Sequence, residues 1–174
     1  MTPDLPALFN DKTIKPKHKI QLAGGWLLDG TIGCEELVQF AAKAKDPVKA
    51  GCIEALEYAT KENPGVININ GFQFVTEQLT AKAPRIKWES AKVIGNTAHL
   101  FTDKLDKPVS HLLDNAEHEG TVVRWSAAFA LGEIVKLCTG RNNELIPAIE
   151  AICNSEEKNS IRKIYQDALK KVSR

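Results

Sequence analysis

Apolar residues recur along this chain at helical spacing, and the spacing itself repeats. Val123–Ile134 reads Val-Arg-Trp-Ser-Ala-Ala-Phe-Ala-Leu-Gly-Glu-Ile, and variants of it open at Val48, Ile86 and Ile161, so successive copies lie 38, 37 and 38 residues apart. Counted from each opening residue, positions 0, 4, 7, 8 and 11 are mostly apolar (Val123, Ala127, Ala130, Leu131 and Ile134 in the third copy), which is one face of a helix. Small residues recur mid-face: Ala91, Gly95, Ala127, Ala128 and Gly132. They allow close approach of neighbouring helices.

A second helical pattern precedes each copy, so the chain predicts helical hairpins. The first helix starts at Thr31 as N-cap and carries Leu37, Val38, Phe40, Ala41 and Ala44. Asp46 as N-cap and Pro47 open its partner, which runs to about Glu62 before Asn63-Pro64-Gly65 breaks the chain. Gly71–Lys82 pairs with a helix from Pro84 to about Phe101, Lys107–Glu117 with Thr121–Leu137, and Glu144–Asn154 with Asn159–Lys171. Val66–Ile69 is expected to be a short extended connection. Met1–Asp11 reads as a poorly ordered lead-in, and Lys15–Asp29 as a cap helix in which Gly24-Gly25 permits close packing. The expected organisation is one domain over 1–174, with lead-in and cap in 1–30 and hairpins in 31–62, 70–102, 105–138 and 143–172. A single hairpin cannot bury its apolar face, whereas stacked hairpins share a continuous core, so a unit of this length predicts an all-α solenoid.

Composition changes this picture little. Hydrophobic residues make up 43% and charged residues 26%, as in an ordinary soluble globular protein. The net charge of +1 gives no global attraction to nucleic acid or anionic lipid, although a local patch stays open. No apolar run approaches a membrane span. Cys34, Cys52, Cys138 and Cys153 form no Cys-x-x-Cys pair and read as reduced thiols, which fits a cytoplasmic location.

The repeated second helix resembles the HEAT-repeat family, whose short form reads (Asp-x)-Val-Arg-x-x-Ala-Ala-x-Ala-Leu-Gly-x-Ile. Val123–Ile134 follows it nearly residue by residue; Ile86–Thr97 keeps Lys87, Ala91 and Ile94-Gly95; Val48–Ala59 keeps Asp46, Val48, Lys49, Ala55 and Leu56; and the last copy keeps Arg162, Ala168 and Leu169. The resemblance spans about Thr31–Arg174 and implies a right-handed α–α superhelix, armadillo-like in architecture. It also implies that Lys49, Lys87, Arg124 and Arg162 tie one repeat to the next, and that the second helices line a concave surface.

Positions 2, 6 and 10 of the second helices form a stripe off the core face: Ala50/Glu54/Tyr58, Trp88/Lys92/Asn96, Trp125/Phe129/Glu133 and Lys163/Asp167/Lys171. A solvated stripe is normally polar, so its aromatics mark a candidate partner-binding groove. Tyr58, Trp88, Trp125 and Phe129 would be hot spots, and Lys92 and Glu133 would set register by charge. The alternative, that Trp88 and Trp125 pack into the seams between repeats, is equally compatible with the sequence.

Chemistry beyond binding finds little support. His111, Asp114, Glu117 and His118 share part of a helix, but seven residues span about 10 Å, too far for the two imidazoles to share one metal ion. No phosphate-cradling loop, nucleophile elbow or His-Glu-x-x-His run occurs, and no cysteine has an assigned base. The expectation is therefore a non-catalytic scaffold or adaptor, without cofactor or metal, that binds a protein or peptide and is monomeric or weakly self-associating. Nucleic acid and membrane are not expected partners. HEAT-like DNA glycosylases for alkylated bases supply the other reading, but that family places an acid one turn after a tryptophan, where this chain has Lys92 and Phe129.

Overall fold

A computed structural model describes residues 2–172, and every described residue in regular structure is helical. The helices are α1 (Leu5–Asn10), α2 (Pro16–Leu28), α3 (Cys34–Lys43), α4 (Asp46–Glu62), α5 (Ile69–Gln78), α6 (Pro84–Thr97), α7 (Asp106–Asn115), α8 (Thr121–Val135), α9 (Asn142–Ser155) and α10 (Asn159–Val172). Local chemistry fixes the ends. Asp4 and Asn68 cap α1 and α5 through the N–H groups of Ala7 and Gly71, and prolines occupy the first turns of α2, α4 and α6.

The helices stack in two layers. The second helices α4, α6, α8 and α10 pack side by side, with α2 against α4, while α3, α5 and α7 form the opposite layer and α9 packs on α10 and α8. Buried Leu37, Val75 and Leu112 of one layer meet Leu56, Ile94 and Leu131 of the other in one continuous core. The chain is thus an α-solenoid of stacked hairpins. On α10, Lys163, Gln166 and Lys170 are exposed, while Ile161, Tyr165 and Ala168 face inward.

Side-chain contacts show that the second helices run parallel. Gly24 of α2 meets Ala55 and Tyr58 of α4, Asn96 of α6 donates to the Glu57 carbonyl of α4 at 3.3 Å, and Gly95 of α6 meets Phe129 of α8. The N-terminal ends of α2, α4 and α6 therefore share one edge of the solenoid.

Several local expectations are corrected. Leu5–Asn10 of the expected lead-in is helical, because Asp4 caps it and Leu5 and Leu8 are buried against α2 and α3; Met1 lies outside the described residues. Thr31 does not cap α3. Its N–H instead bonds the Asp29 carboxylate at 2.9 Å, in a turn with Gly30 at φ +77°, and α3 starts after Gly33. Asp46 is the first residue of α4, not its cap. The expected extended stretch is only Ile67 and Asn68, since Pro64–Val66 forms a 3₁₀ turn and Ile69 already belongs to α5. α6 stops at Thr97, and two 3₁₀ turns, Ala98–Leu100 and Thr102–Lys104, carry the chain to α7.

Candidate functional site

The stripe on the second helices divides by exposure. Trp125 is 40% exposed and Tyr58 38%, whereas Trp88 and Phe129 are half-buried and Ala50 is buried. Glycines explain how the aromatics lie. The Phe129 ring rests on Gly95, where an added Cβ would come within 2.4 Å of its Cε1, and the Tyr58 ring rests on Gly24 in the same way. Trp125 then stacks on Phe129, with ring centroids 6.1 Å apart and planes 11° apart. The indole is thus set on a ring that is itself seated on the neighbouring helix. Val122, 49% exposed and one turn before Trp125, extends this apolar surface.

Around Trp88 the surface is polar. Its Nε1 donates to Glu89 Oε1 at 2.9 Å, and Lys92 Nζ lies 3.1 Å from Glu89 Oε2. Glu89 is buried between α4 and α6, and burial pushes its carboxyl above the usual range. The fields of Glu54 and Glu57 add to the shift and Lys92 opposes it. Glu54 is itself paired with Arg85. On α8, Glu133 pairs with Lys136 at 2.5 Å. Both charged residues expected to set register are therefore already engaged on their own helices. Beside them, Phe129, Gly132, Glu133, Ile164, Ala168 and Lys171 line a notch of about 190 Å³ between α8 and α10. A larger furrow of about 420 Å³ lies on the other layer, between α5 and α7.

The basic residues at the turns make a different set of contacts. Lys87 Nζ donates to the Leu79 carbonyl of its own hairpin at 3.2 Å and to Asn115 of the next at 3.3 Å. Arg124 bonds the carbonyls of His118 and Glu119 and, at 3.0 Å, Glu156 of the following hairpin. Arg162 binds the Glu156 carbonyl from the other side. Lys49 is half-buried, and its side chain makes no hydrogen bond or ion pair with another described residue.

Two contributors escaped the sequence reading. Val122 precedes the indexed positions, and its signal was an apolar residue immediately before the opening Val123. Glu89 takes the position held by Gly51, Ser126 and Ile164 in the other copies, so a charge in that column was the available clue. The His111–His118 group gathers no metal site: among the described residues no three His, Cys, Asp or Glu side chains are placed to hold one. His118 Nδ1 instead accepts from the Gly120 N–H at 2.9 Å. Cys34, Cys52 and Cys153 are buried and Cys138 is exposed; burial pushes the Cys52 thiol up to about 12. No described helix is long and apolar enough to cross a membrane.

No protein-family model matches the chain, and no curated protein matches it. Solved structures do share its fold. One engineered protein has a TM-score of 0.77 at 18% identity over 98% of this chain and 47% of its own, so the chain spans about half of that protein's length. A designed armadillo repeat protein in complex with the peptide (KR)4 has a TM-score of 0.71 at 15% identity, covering 97% of this chain and 80% of the design. The complex of CpcE and CpcF of phycocyanin lyase from Nostoc sp. PCC7120 gives a TM-score of 0.72 at 15% identity, covering 95% of this chain and 97% of that one. At these identities the likeness carries the fold, a repeat helical solenoid.

Proposed function

We propose that the chain is a non-catalytic, HEAT-type cytoplasmic scaffold that holds a protein segment across its layer of second helices. The observation that carries this reading is Trp125. It is a 40%-exposed indole held in place by stacking on Phe129, which is seated on Gly95, and it lies beside exposed Val122. An indole fixed before binding loses little conformational freedom when a partner covers it, which is the property of an interface anchor. The likeness to an armadillo design that holds a peptide, and to a complex of two lyase subunits, fits the same reading.

The test is a displayed peptide library selected on the whole chain. Enriched peptides should lose at least tenfold in affinity for Trp125→Ala, about 1.4 kcal/mol or more, while its helical circular dichroism and unfolding midpoint stay close to the parent's. Equal binding to parent and variant would remove Trp125 from the site and the reading with it.

A further inference from the structure

The hairpin turns hold a charge pattern that the linear sequence does not display. Because the second helices are parallel, the turns entering α2, α4 and α6 line up along one edge. Lys12, Lys15 and Lys17 stand at the first turn, Lys43 and Lys45 at the second and Lys82 at the third, all exposed. None of these six side chains makes a hydrogen bond or ion pair with another described residue. The acids along the same stretch are Asp11, which is bonded to Thr13, and exposed Asp46 and Glu77. The next two turns are mixed: Glu117 and Glu119 stand beside Arg124 at one, and at the other Glu156 is buried and paired with Arg124 while exposed Glu157 is followed by Lys158 and Arg162. The positive stretch is thus a short line at the first three turns. Packed helices lie about 8–10 Å apart, so it runs for roughly 16–20 Å.

We propose that this edge binds single-stranded nucleic acid by its phosphates, over the three turns entering α2, α4 and α6. A row of unpaired lysines along a line is suited to tracking a charged backbone, and releasing condensed counterions drives such binding whatever the overall charge of the protein. Two observations favour a strand over other polyanions. Trp88, half-buried with its Nε1 bonded to Glu89, lies four residues in from Pro84, about 6 Å along α6, and the exposed part of its ring is an aromatic surface for bases whose phosphates lie on the edge. The turns themselves present Thr13, Ala44, Thr80, Ala81 and Ala83, with no large exposed apolar side chain to insert into a bilayer. The inference is separate from peptide capture, which centres on Trp125 of α8.

The experiment is fluorescence anisotropy of a labelled 20-nucleotide oligothymidine with the whole chain. With about four phosphates engaged, the slope of log affinity against log salt is about −3, so raising salt from about 50 to 200 mM should weaken binding about 50-fold. One lysine per turn is reversed in Lys15→Glu/Lys45→Glu/Lys82→Glu. Its control, Lys61→Glu/Lys104→Glu/Lys170→Glu, changes net charge equally away from the edge. The expected result is a loss above tenfold for the edge variant and within twofold for the control. The proposal is overturned by no binding at 50 mM salt, by equal losses in the two variants, or by stronger binding to phosphatidylserine vesicles or polyglutamate than to the oligonucleotide.

Discussion

Removing Arg124 should loosen the last hairpin from the rest of the solenoid. Its guanidinium reaches the His118 and Glu119 carbonyls of its own turn at 3.1 and 2.9 Å and Glu156 of the next hairpin at 3.0 Å. The Glu156 side chain is 5% exposed and that of Arg124 19%. Breaking one side of a fully buried ion pair costs about 3–5 kcal/mol, and the partial exposure of Arg124 lowers this. Glu156 also keeps the Lys158 N–H at 2.9 Å. Arg124→Ala should therefore cost about 2–3 kcal/mol at neutral pH. Arg124→Lys should recover part of that, because it keeps the charge but loses the fork of donors.

Urea unfolding checks the total, and hydrogen exchange shows where it falls. In a repeat array each unit is held by its neighbours, so amides of α9 and α10 should lose protection before those of α4 and α6. A double-mutant cycle with Glu156→Gln should give a coupling of about 1–2 kcal/mol. The pH dependence follows from Glu156. Burial by itself would raise its carboxyl, but the Lys158 N–H and Arg124 outweigh it and hold the group below the usual range. A depressed folded-state value gives stability that is present above the unfolded value and lost as pH falls through the folded one. The gap between parent and Arg124→Ala should thus be full at pH 7 and narrow on acidification below about pH 4. A variant within 0.5 kcal/mol of the parent, or strictly additive effects, would refute the clamp.

Two further substitutions test local geometry. Gly24→Ala should destabilise by about 1 kcal/mol despite alanine's better helix propensity, because the new Cβ would meet Tyr58 Cδ1 at 2.4 Å and the Ala55 carbonyl at 3.2 Å. In a Tyr58→Ala background the same change should become neutral or stabilising in urea melts; an unchanged penalty would show that the ring is not what fills the space. Cys138 sits at φ 55° just after α8, so Cys138→Gly should raise stability by about 0.5–1 kcal/mol by relieving left-handed backbone strain, and a lower melting temperature would count against it.

The solenoid was legible because its signal is a column. Ala91, Gly95, Ala127, Ala128 and Gly132 recur at fixed places, since each must let a neighbouring helix come close, and the 37- and 38-residue spacing preserves those places. α1 was not legible for the opposite reason. Its burial rests on Leu5, Leu8 and the half-buried Phe9, three residues in a Pro-containing stretch, and the energy comes from contacts with α2, α3 and Gly51 of α4, which the local sequence cannot show. The stripe was half legible. Trp88 and Trp125 occupy the same column, yet one lies beside buried Glu89 and the other above Phe129, so their exposure depends on the residue each neighbour supplies.

The basic edge lies beyond any column. Lys12, Lys43 and Lys82 are 31 and 39 residues apart, because α2 has 13 residues and α4 has 17 and the connecting turns differ, whereas α3 and α5 both have 10. Core packing constrains the second helix at every repeat, but a solvent-facing turn needs only to join two ends. Its charge can therefore drift from repeat to repeat without disturbing the fold. A surplus of unpaired lysines over three successive turns is then a feature that stacking does not require. For that reason charge reversal on the edge, unlike substitution on the repeated core face, tests the proposed phosphate contacts without disturbing the fold.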